Sequence, residues 1–289
     1  DHRDLHSFPT RRSSDLRVLR SQFVENIGTG LWFDIGNEAI EVANCLFLDN
    51  LEAGLFYEIS YGLHAHDNVA VGNGLADTAG AWGMQAGIVL SSSPGCTIER
   101  NLLVGNREGF AFREQFRTTP QIDDHTERPV WNHDSVIRNN VLAWNRDAQL
   151  WGWFAQEDER HWPKALQQQK VSEGPEADMA ADYVAQDSTS QPFGLSLEDL
   201  QLLIESNVFC REAGQGLFNW GPAWSRIKRY ETLDELKAEL PIGPVGVEEA
   251  CDFPSLARLE LSLPAGSSAF RLKCYPRGEV PGVELGALE

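Results

Sequence analysis

Residues 30–50 read GLWFDIGNEAIEVANCLFLDN, and residues 53–68 read AGLFYEISYGLHAHDN. Both stretches belong to one repeated unit. An apolar residue is followed three positions later by a small or amide residue, five positions further on by a second one, and then by glycine and an apolar residue. Six copies begin, in order, at Val18, Val42, Ala65, Ile98, Ile137 and Ile204. The fifth has Gln149 in place of the glycine, and the sixth has Glu212 at the second position. The first three copies are 24 and 23 residues apart.

This period predicts a β-solenoid. Three short strands and three turns fill one coil of such a fold, and successive coils stack about 4.8 Å apart. Within the strands apolar residues alternate with polar ones, so one face points inward. Asparagine tolerates a left-handed backbone at turns, and its amide can bond the same amide one coil away. We therefore interpret the asparagine columns as structural ladders in a helix of about six coils.

The two opening stretches and AGIVLSSS (86–93) resemble bacterial right-handed parallel β-helix repeat proteins of the pectin-lyase-like superfamily, over roughly residues 22–221. The resemblance implies an all-β, single-stranded right-handed parallel β-helix. The stretches RYETLDELKAEL (229–240) and 261–286 are similar to the tail of such proteins. This superfamily includes lyases, hydrolases, epimerases and adhesins, so the resemblance implies no single reaction.

Three regions are predicted. Residues 1–16, DHRDLHSFPTRRSSDL, are similar to a translated sequencing adapter and are excluded from fold reasoning. Residues 17–222 form the β-helix, and we expect the gene to continue upstream with further coils and an export signal. Residues 223–289 form a helix/strand tail that caps the solenoid end, with an amphipathic helix over 230–240 and strand-like pieces over 256–272.

The overall charge excludes some partners. The chain carries 43 acidic and 24 basic residues, a formal charge of −19, which repels nucleic acid. No apolar run is long enough to span a membrane. Together with the resemblance, this favours an extracellular or periplasmic monomer. Five scattered cysteines show no metal-ligand spacing, and we expect buried free thiols rather than a disulfide framework.

Alternation after each glycine predicts which side chains face outward from the third strand of every coil. One outward column reads Trp32, Phe56, Val89, Ala111, Trp151 and Phe218, and the next reads Asp34, Glu58, Ser91, Arg113, Trp153 and Trp220. A line of exposed aromatic and charged side chains is typical of a polysaccharide groove. Insertions near residues 74–83, 114–133 and 154–199 are predicted to wall it. Alternatively, these insertions cover the sheet and bury the tryptophans.

Asp34 and Glu58 are the predicted catalytic residues. They occupy equivalent positions on adjacent coils, so their carboxyl groups should lie about 5 Å apart, a spacing that suits glycoside hydrolysis. The same pair is also compatible with binding calcium or with capping turns at the sheet edge. The predicted substrate-binding side chains are Trp32, Phe56, Trp82, Arg113, His133, Trp151, Trp153 and Trp220.

The sequence thus favours hydrolysis of a neutral polysaccharide, with no metal or other cofactor. One alternative is a non-catalytic polysaccharide-binding or surface solenoid. The other is a calcium-dependent polysaccharide lyase, in which Arg113 and Arg117 neutralise a uronate. His64 and His66, at alternate positions, permit a metal pair or a proton shuttle, although solvated turn histidines are more common.

Overall fold

The computed structural model describes residues 16–76, 85–114, 117–120, 127–154, 201–222, 228–240 and 242–275. In this part of the chain, short strands from successive coils stack into three parallel sheets, and each coil contributes one strand to each sheet. The protein is therefore an all-β right-handed parallel β-helix. No helix among these residues is long and apolar enough to cross a membrane.

The first two sheets are built from short strands. Sheet 1 contains β1 (Arg17–Leu19), β4 (Glu41–Ala43), β7 (His64–His66), β10 (Thr97–Glu99), β15 (Val136–Arg138) and β18 (Leu203–Glu205). Sheet 2 contains β2 (Gln22–Val24), β5 (Leu46–Leu48), β8 (Val69–Val71), β11 (Leu102–Val104), β16 (Val141–Ala143), β19 (Asn207–Cys210) and β22 (Gly246–Glu248).

Sheet 3 has longer strands, and a hairpin interrupts the chain after its fourth parallel strand. Sheet 3 contains β3 (Leu31–Asp34), β6 (Leu55–Glu58), β9 (Ala86–Ser91), β12 (Glu108–Glu114), β17 (Ala148–Phe154), β20 (Gly216–Pro222) and the antiparallel β21 (Lys228–Tyr230). The hairpin pairs β13 (Arg117–Pro120) with β14 (Glu127–Val130). It lies in the insertion that was predicted after Arg113.

The asparagine ladders are confirmed. In the column between sheets 2 and 3, the Asn50 amide donates to Asn73 at 2.7 Å, and the Asn73 amide donates to Asn106 at 2.8 Å. The column between sheets 1 and 2 runs in the same way from Asn68 through Asn101 and Asn140 to Asn207. A third column, which the sequence did not reveal, mixes serine and asparagine after sheet 3, as Asn37, Ser60, Ser93 and Asn132.

The left-handed backbone lies one residue before each ladder position, so the prediction that the asparagine itself adopts it is wrong. Positive φ angles occur at Arg20, Asn44, Asp67, Arg100, Asn139 and Ser206 before the first column, and at Glu25, Asp49, Gly72, Gly105 and Trp144 before the second. The chain turns at these residues. The asparagine that follows can then direct its amide along the stack.

The interior of the solenoid is apolar. The inward positions of sheet 3 follow the predicted alternation in the first five coils, since Leu55, Ile88, Phe110 and Leu150 are fully buried and Leu31 is half-buried. In the sixth coil Phe218, rather than the predicted Leu217, continues this column. Apart from the asparagine and serine ladders, the interior is filled by inward-facing apolar side chains from all three sheets. The solenoid is thus a rigid support whose outward columns are free to carry other chemistry.

The C-terminal end of the solenoid is covered on all three sheets. Strand β22 pairs with β19, β21 pairs with β20, and the Val245 N–H donates to the carbonyl of Ile204 at 2.8 Å beside sheet 1. Helix α1 (Leu233–Glu239) begins at the N-cap Thr232, and Leu236 and Leu240 pack into the interior. The predicted amphipathic helix is present, but it starts after Tyr230 because that residue belongs to β21.

Residues 251–275, here called the strap, lie along the outer face of sheet 2. Phe253 packs edge-on against Trp144, with ring centroids 5.0 Å apart, and apolar residues of the strap bury the outward side chains of sheet 2. The predicted strands over 256–272 are not present. The strap instead has turns, one isolated bridge and the short helix α2 (Ser268–Arg271). The side chains of residues 251–275 cover the outer face of sheet 2, and their backbone adds no strand to that sheet.

A disulfide joins Cys210 of β19 to Cys251 at the start of the strap, with Cα atoms 5.4 Å apart. The expectation that all cysteines are free is therefore wrong for this pair. The fold brings them together because β19 is the last full coil and the strap begins beside it. Cys45, Cys96 and Cys274 are free and buried, as expected.

Candidate functional site

The outer face of sheet 3 places the two predicted catalytic carboxylates side by side. Asp34 at the end of β3 is the register partner of Glu58 at the end of β6. Two residues before them on the same strands, Trp32 stacks on Phe56 with ring centroids 5.4 Å apart. Trp32 is 50% exposed and Asp34 is also exposed, so this corner of the face is open to solvent.

Glu58 and Arg113 form a buried ion pair. The Arg113 Nη2 donates to the Glu58 Oε1 at 2.9 Å, although the two residues lie two coils apart. Ser91, on the coil between them, donates to the same oxygen at 3.5 Å. The Arg113 guanidinium also lies over the ring of Phe56, at 4.8 Å. Arg113 therefore compensates the charge of Glu58 and fixes its carboxylate.

The predicted groove of exposed aromatic residues is wrong along most of this face. Phe56 is fully buried, and Glu58 and Arg113 are only 6% and 3% exposed. The outward column forms an apolar cluster of Ala53, Phe56, Ala86, Val89 and Ala111, against which the half-buried Trp151 packs. The middle of this face is buried, in agreement with the alternative that the sheet is covered. The exposed part begins at Trp32 and Asp34.

Trp220 faces the interior, contrary to prediction. Leu150 pairs with Phe218 rather than with Leu217, so β20 is shifted by one residue relative to the predicted register. A one-residue shift turns every side chain to the other face. Phe218 and Trp220 are consequently buried in the core, and Trp220 is the register partner of Gly152.

The other predicted binding residues do not join Asp34 and Glu58 in any described contact. His133 lies in the turn before β15, where its Nδ1 contacts Asp134 at 2.6 Å and its ring packs on Trp131. Trp82 and the side chain of Trp153 fall outside the described residues.

The outer face of sheet 1 carries a network of charged side chains around the two histidines of β7. His66 contacts Asp67 at 2.7 Å through Nδ1 and Glu41 at 3.1 Å through Nε2. His64 contacts Glu99 at 3.2 Å, and the two imidazole rings lie 4.2 Å apart. The histidines thus face one side, as predicted. Their partners are neighbouring carboxylates.

Arginines complete this network and hold its carboxylates ionised. Arg100 donates to both Asp67 and Glu99, and Arg138 donates to Glu99. Burial opposes ionisation of Glu99, but the hydrogen bonds from Arg100, Arg138 and His64 lower its pKa to about 2. The hydrogen bond with Asp67 raises the pKa of His66. These contacts satisfy the network internally, which favours a structural role.

A second polar group on the sheet 3 side was missed by the sequence reasoning. Glu108, at the start of β12, is 6% exposed and pairs with Ala86 and Ala148. The corresponding residues before the glycine in the preceding coils are Thr29, Ala53 and Ala86. A charged residue in a column of small ones was the signal that could have identified it.

The surroundings of Glu108 keep it neutral. Burial, and then the negative charge of Asp147, raise the pKa of Glu108 to about 8. Its Oε1 lies 3.8 Å from the Nε of Arg107, which donates to the Oδ2 of Asp147 at 2.9 Å. Its Oε2 is buried, with no hydrogen-bond partner among the residues described. Hydrogen bonds from Arg146 and Arg107 outweigh burial and lower the pKa of Asp147.

An open cavity of about 520 Å³ lies at the C-terminal end, between the last coil and the cap. Its charged lining consists of Arg211, Glu212, Glu231, Glu248 and Glu249. Arg211 donates to Glu248 at 2.8 Å and to the carbonyl of Glu231 at 2.6 Å, and Glu249 accepts from the backbone of Ser268. Arg211 thus ties the last coil to Glu248 and to the Glu231 backbone, and Glu249 holds the strap.

No group of three or more histidine, cysteine, aspartate or glutamate residues has metal-binding geometry in the part of the chain that the structure describes. The sheets and ladders define a right-handed parallel β-helix protein. Residues 7–103 match the family model described as "Right handed beta helix region". No curated protein and no solved structure matches the chain.

Proposed function

We propose that this β-helix protein is carbohydrate-active and hydrolyses glycosidic bonds of a neutral polysaccharide at the exposed corner of sheet 3. The observation that carries the proposal is the register pairing of Asp34 with Glu58, next to the exposed ring of Trp32. Adjacent parallel strands hold equivalent side chains about 4.8 Å apart. Retaining glycosidases place their two carboxyl groups at about 5–5.5 Å.

The surroundings of each carboxylate suggest its role. Glu58 is fixed and charge-compensated by Arg113, which suits a nucleophile that must be ionised and correctly oriented. Asp34 is exposed to solvent, so a bound sugar and a water molecule can reach its carboxyl group, which suits the acid/base. Trp32 offers a flat apolar surface on which a sugar ring can stack.

Substituting each carboxylate tests the proposal. Asp34→Asn and Glu58→Gln should each abolish release of reducing ends from the correct neutral glycan, with binding retained. Asp252→Asn, on the exposed start of the strap, serves as the control and should leave hydrolysis unchanged. If Asp34→Asn cleaves as fast as the unmodified protein, these residues are not the catalytic pair.

A non-catalytic glycan-binding solenoid is the second candidate, and the burial of Glu58 favours it. A carboxylate that is 6% exposed and paired with an arginine can be purely structural. In that case a broad glycan screen gives retention without cleavage, and Trp32→Ala removes retention. A calcium-dependent lyase has less support, because Arg113 is only 3% exposed and its guanidinium is paired with Glu58.

We also propose that the protein works outside the cytoplasm. Disulfides persist mainly in oxidising compartments, and Cys210–Cys251 fits that setting. The charge of −19 supports a partner that is neither nucleic acid nor a polyanionic glycan. A monomer is the expected solution state, which light scattering can measure.

A further inference from the structure

We propose that Glu108 and Asp147 form a proton-linked glycan subsite on the same side of the solenoid as Asp34 and Glu58. In this subsite Glu108 donates a hydrogen bond to a sugar oxygen and Asp147 accepts one from a sugar hydroxyl. The choice of a neutral glycan as the ligand rests on the proposed function. The positions of the Glu108 and Asp147 carboxyl groups do not depend on which ligand binds.

The two acids meet at one guanidinium, that of Arg107. The Glu108 Oε1 and the Asp147 Oδ2 lie 3.8 and 2.9 Å from the same Arg107 Nε, so they cannot be further apart than these two distances together. Arg146 contacts Asp147 from the other side at 2.8 Å. Only the aspartate is strongly compensated by arginine. One carboxyl is thus ionised while its neighbour keeps a proton.

Glu108 also has hydrogen-bonding capacity that no described residue uses. Its Oε2 is buried without a partner among the described residues, although buried polar groups are nearly always hydrogen-bonded. A neutral carboxyl can donate as well as accept. The charged groups that face Glu108 are Arg107, which directly precedes β12, and Arg146 and Asp147 from the corner before β17. Its neighbours on the adjacent strands are the alanines Ala86 and Ala148.

The two acids also lie on the same side of the solenoid as the proposed cleavage point. Glu108 shares its column with Ala53 and Ala86, which belong to the apolar cluster on the outer face of sheet 3. Asp34 lies in the first coil and Asp147 precedes the strand of the fifth, so they are separated by four coil steps, or about 19 Å along the axis. An extended oligosaccharide can cover that distance. Glu108 and Asp147 would then bind a part of the glycan remote from the proposed cleavage point.

The test follows the protonation of Glu108 directly. Carbon-13 NMR of protein labelled at glutamate carboxyls should show one group titrating near pH 8, and Glu108→Gln should remove that signal. Asp147→Asn should lower its midpoint, since the negative charge beside Glu108 is removed. Glu58→Gln is the matched control and should leave the signal unchanged. If no glutamate titrates in this range, the inference is overturned.

The titration is then repeated with saturating cellohexaose, xylohexaose, mannohexaose or laminarihexaose. A ligand that binds the protonated form tenfold more tightly raises the midpoint by up to about one pH unit. Its affinity should fall about tenfold in total as the pH rises through the free midpoint near pH 8 and the bound midpoint about one unit higher. Glu108→Gln, which keeps a donor, should bind without that fall, and Glu108→Ala should bind weakly at every pH.

The outcomes separate this inference from the proposed function. A raised midpoint without any glycan cleavage supports the subsite and contradicts hydrolysis at Asp34 and Glu58. Cleavage with an unmoved midpoint contradicts the subsite alone. If none of the glycans moves the midpoint or is cleaved, both proposals fail, and Glu108 is a buried acid without a ligand.

Discussion

Replacing Asn106 with alanine measures how much the ladder contributes to stability. The Asn106 Oδ1 accepts from the backbone N–H and the side-chain amide of Asn73, at 3.0 and 2.8 Å. Its Nδ2 donates to the Ala70 carbonyl at 3.0 Å and to Asn145 at 3.2 Å. Asn106 is fully buried, so water cannot replace these bonds without opening the turn.

The substitution removes all four bonds and leaves the Asn73 N–H and the Ala70 carbonyl without these partners. Leaving a buried polar group unsatisfied costs about 1–3 kcal/mol. Two such groups and a small void predict a loss of about 3–5 kcal/mol in the free energy of unfolding. Asn26→Ala is the matched control. Asn26 is exposed at the first coil, and its amide makes one ladder bond, to Asn50, so about 0.5–1.5 kcal/mol is expected.

Urea unfolding at neutral pH, followed by circular dichroism and tryptophan fluorescence, gives both values. The slope of the transition should stay the same in both variants if only stability changes. If Asn106→Ala is no less stable than Asn26→Ala, ladder bonds add nothing to the solenoid beyond their exchange with water. The reasoning would then be refuted for every column.

Three further changes test other parts of the fold. Gly152→Ala should lower stability by about 1–3 kcal/mol in a urea titration, because an added Cβ would lie 2.4 Å from the Phe112 ring; an unchanged midpoint would contradict the packing. Cys251→Ser should cost about 2–4 kcal/mol, because it opens a closure of 41 residues. Reductant should lower the melting temperature of the unmodified protein to that of this variant, and a reductant-insensitive protein would contradict the disulfide. The raised pKa of His66 predicts that its contribution to stability is complete below the unfolded value of about 6.5 and is lost as the pH rises through the folded value. His66→Gln should flatten that part of the stability–pH curve, and an unchanged curve would argue against the contacts with Asp67 and Glu41.

The repeat predicted the fold well because it records local requirements. Most coils have an asparagine at the ladder position and an apolar residue at the inward position. These residues therefore recur at a fixed spacing along the sequence. The same spacing correctly aligned Asp34 with Glu58, since no insertion separates their coils from each other. Where the repeat unit is intact, counting along the sequence is equivalent to measuring along the solenoid.

The sequence failed where position depends on contacts between distant segments. Residues 155–200 separate β17 from β18, and the one-residue shift that turns Trp220 inward sets it opposite Gly152 of the preceding coil, a pairing that spacing along the sequence does not show. The strap lies along sheet 2 because the outer face of that sheet is apolar. Several coils together form that face, so no single repeat reveals it. The exposure of Phe56 could not be judged from its own coil, as its surroundings come from other parts of the chain.

The outer face of sheet 3 differs energetically from the other two outer faces. The sheet 1 network neutralises its own charges, and the sheet 2 face is covered by the apolar strap. Sheet 3 combines a buried ion pair with a buried carboxyl, one oxygen of which has no hydrogen-bond partner in the described part of the chain. Apolar residues at these positions would often be as stable or more stable, since burying charge costs desolvation. Polar groups kept at such a cost concentrate where proteins bind and react. This difference, more than any exposed aromatic residue, favours sheet 3 as the working face.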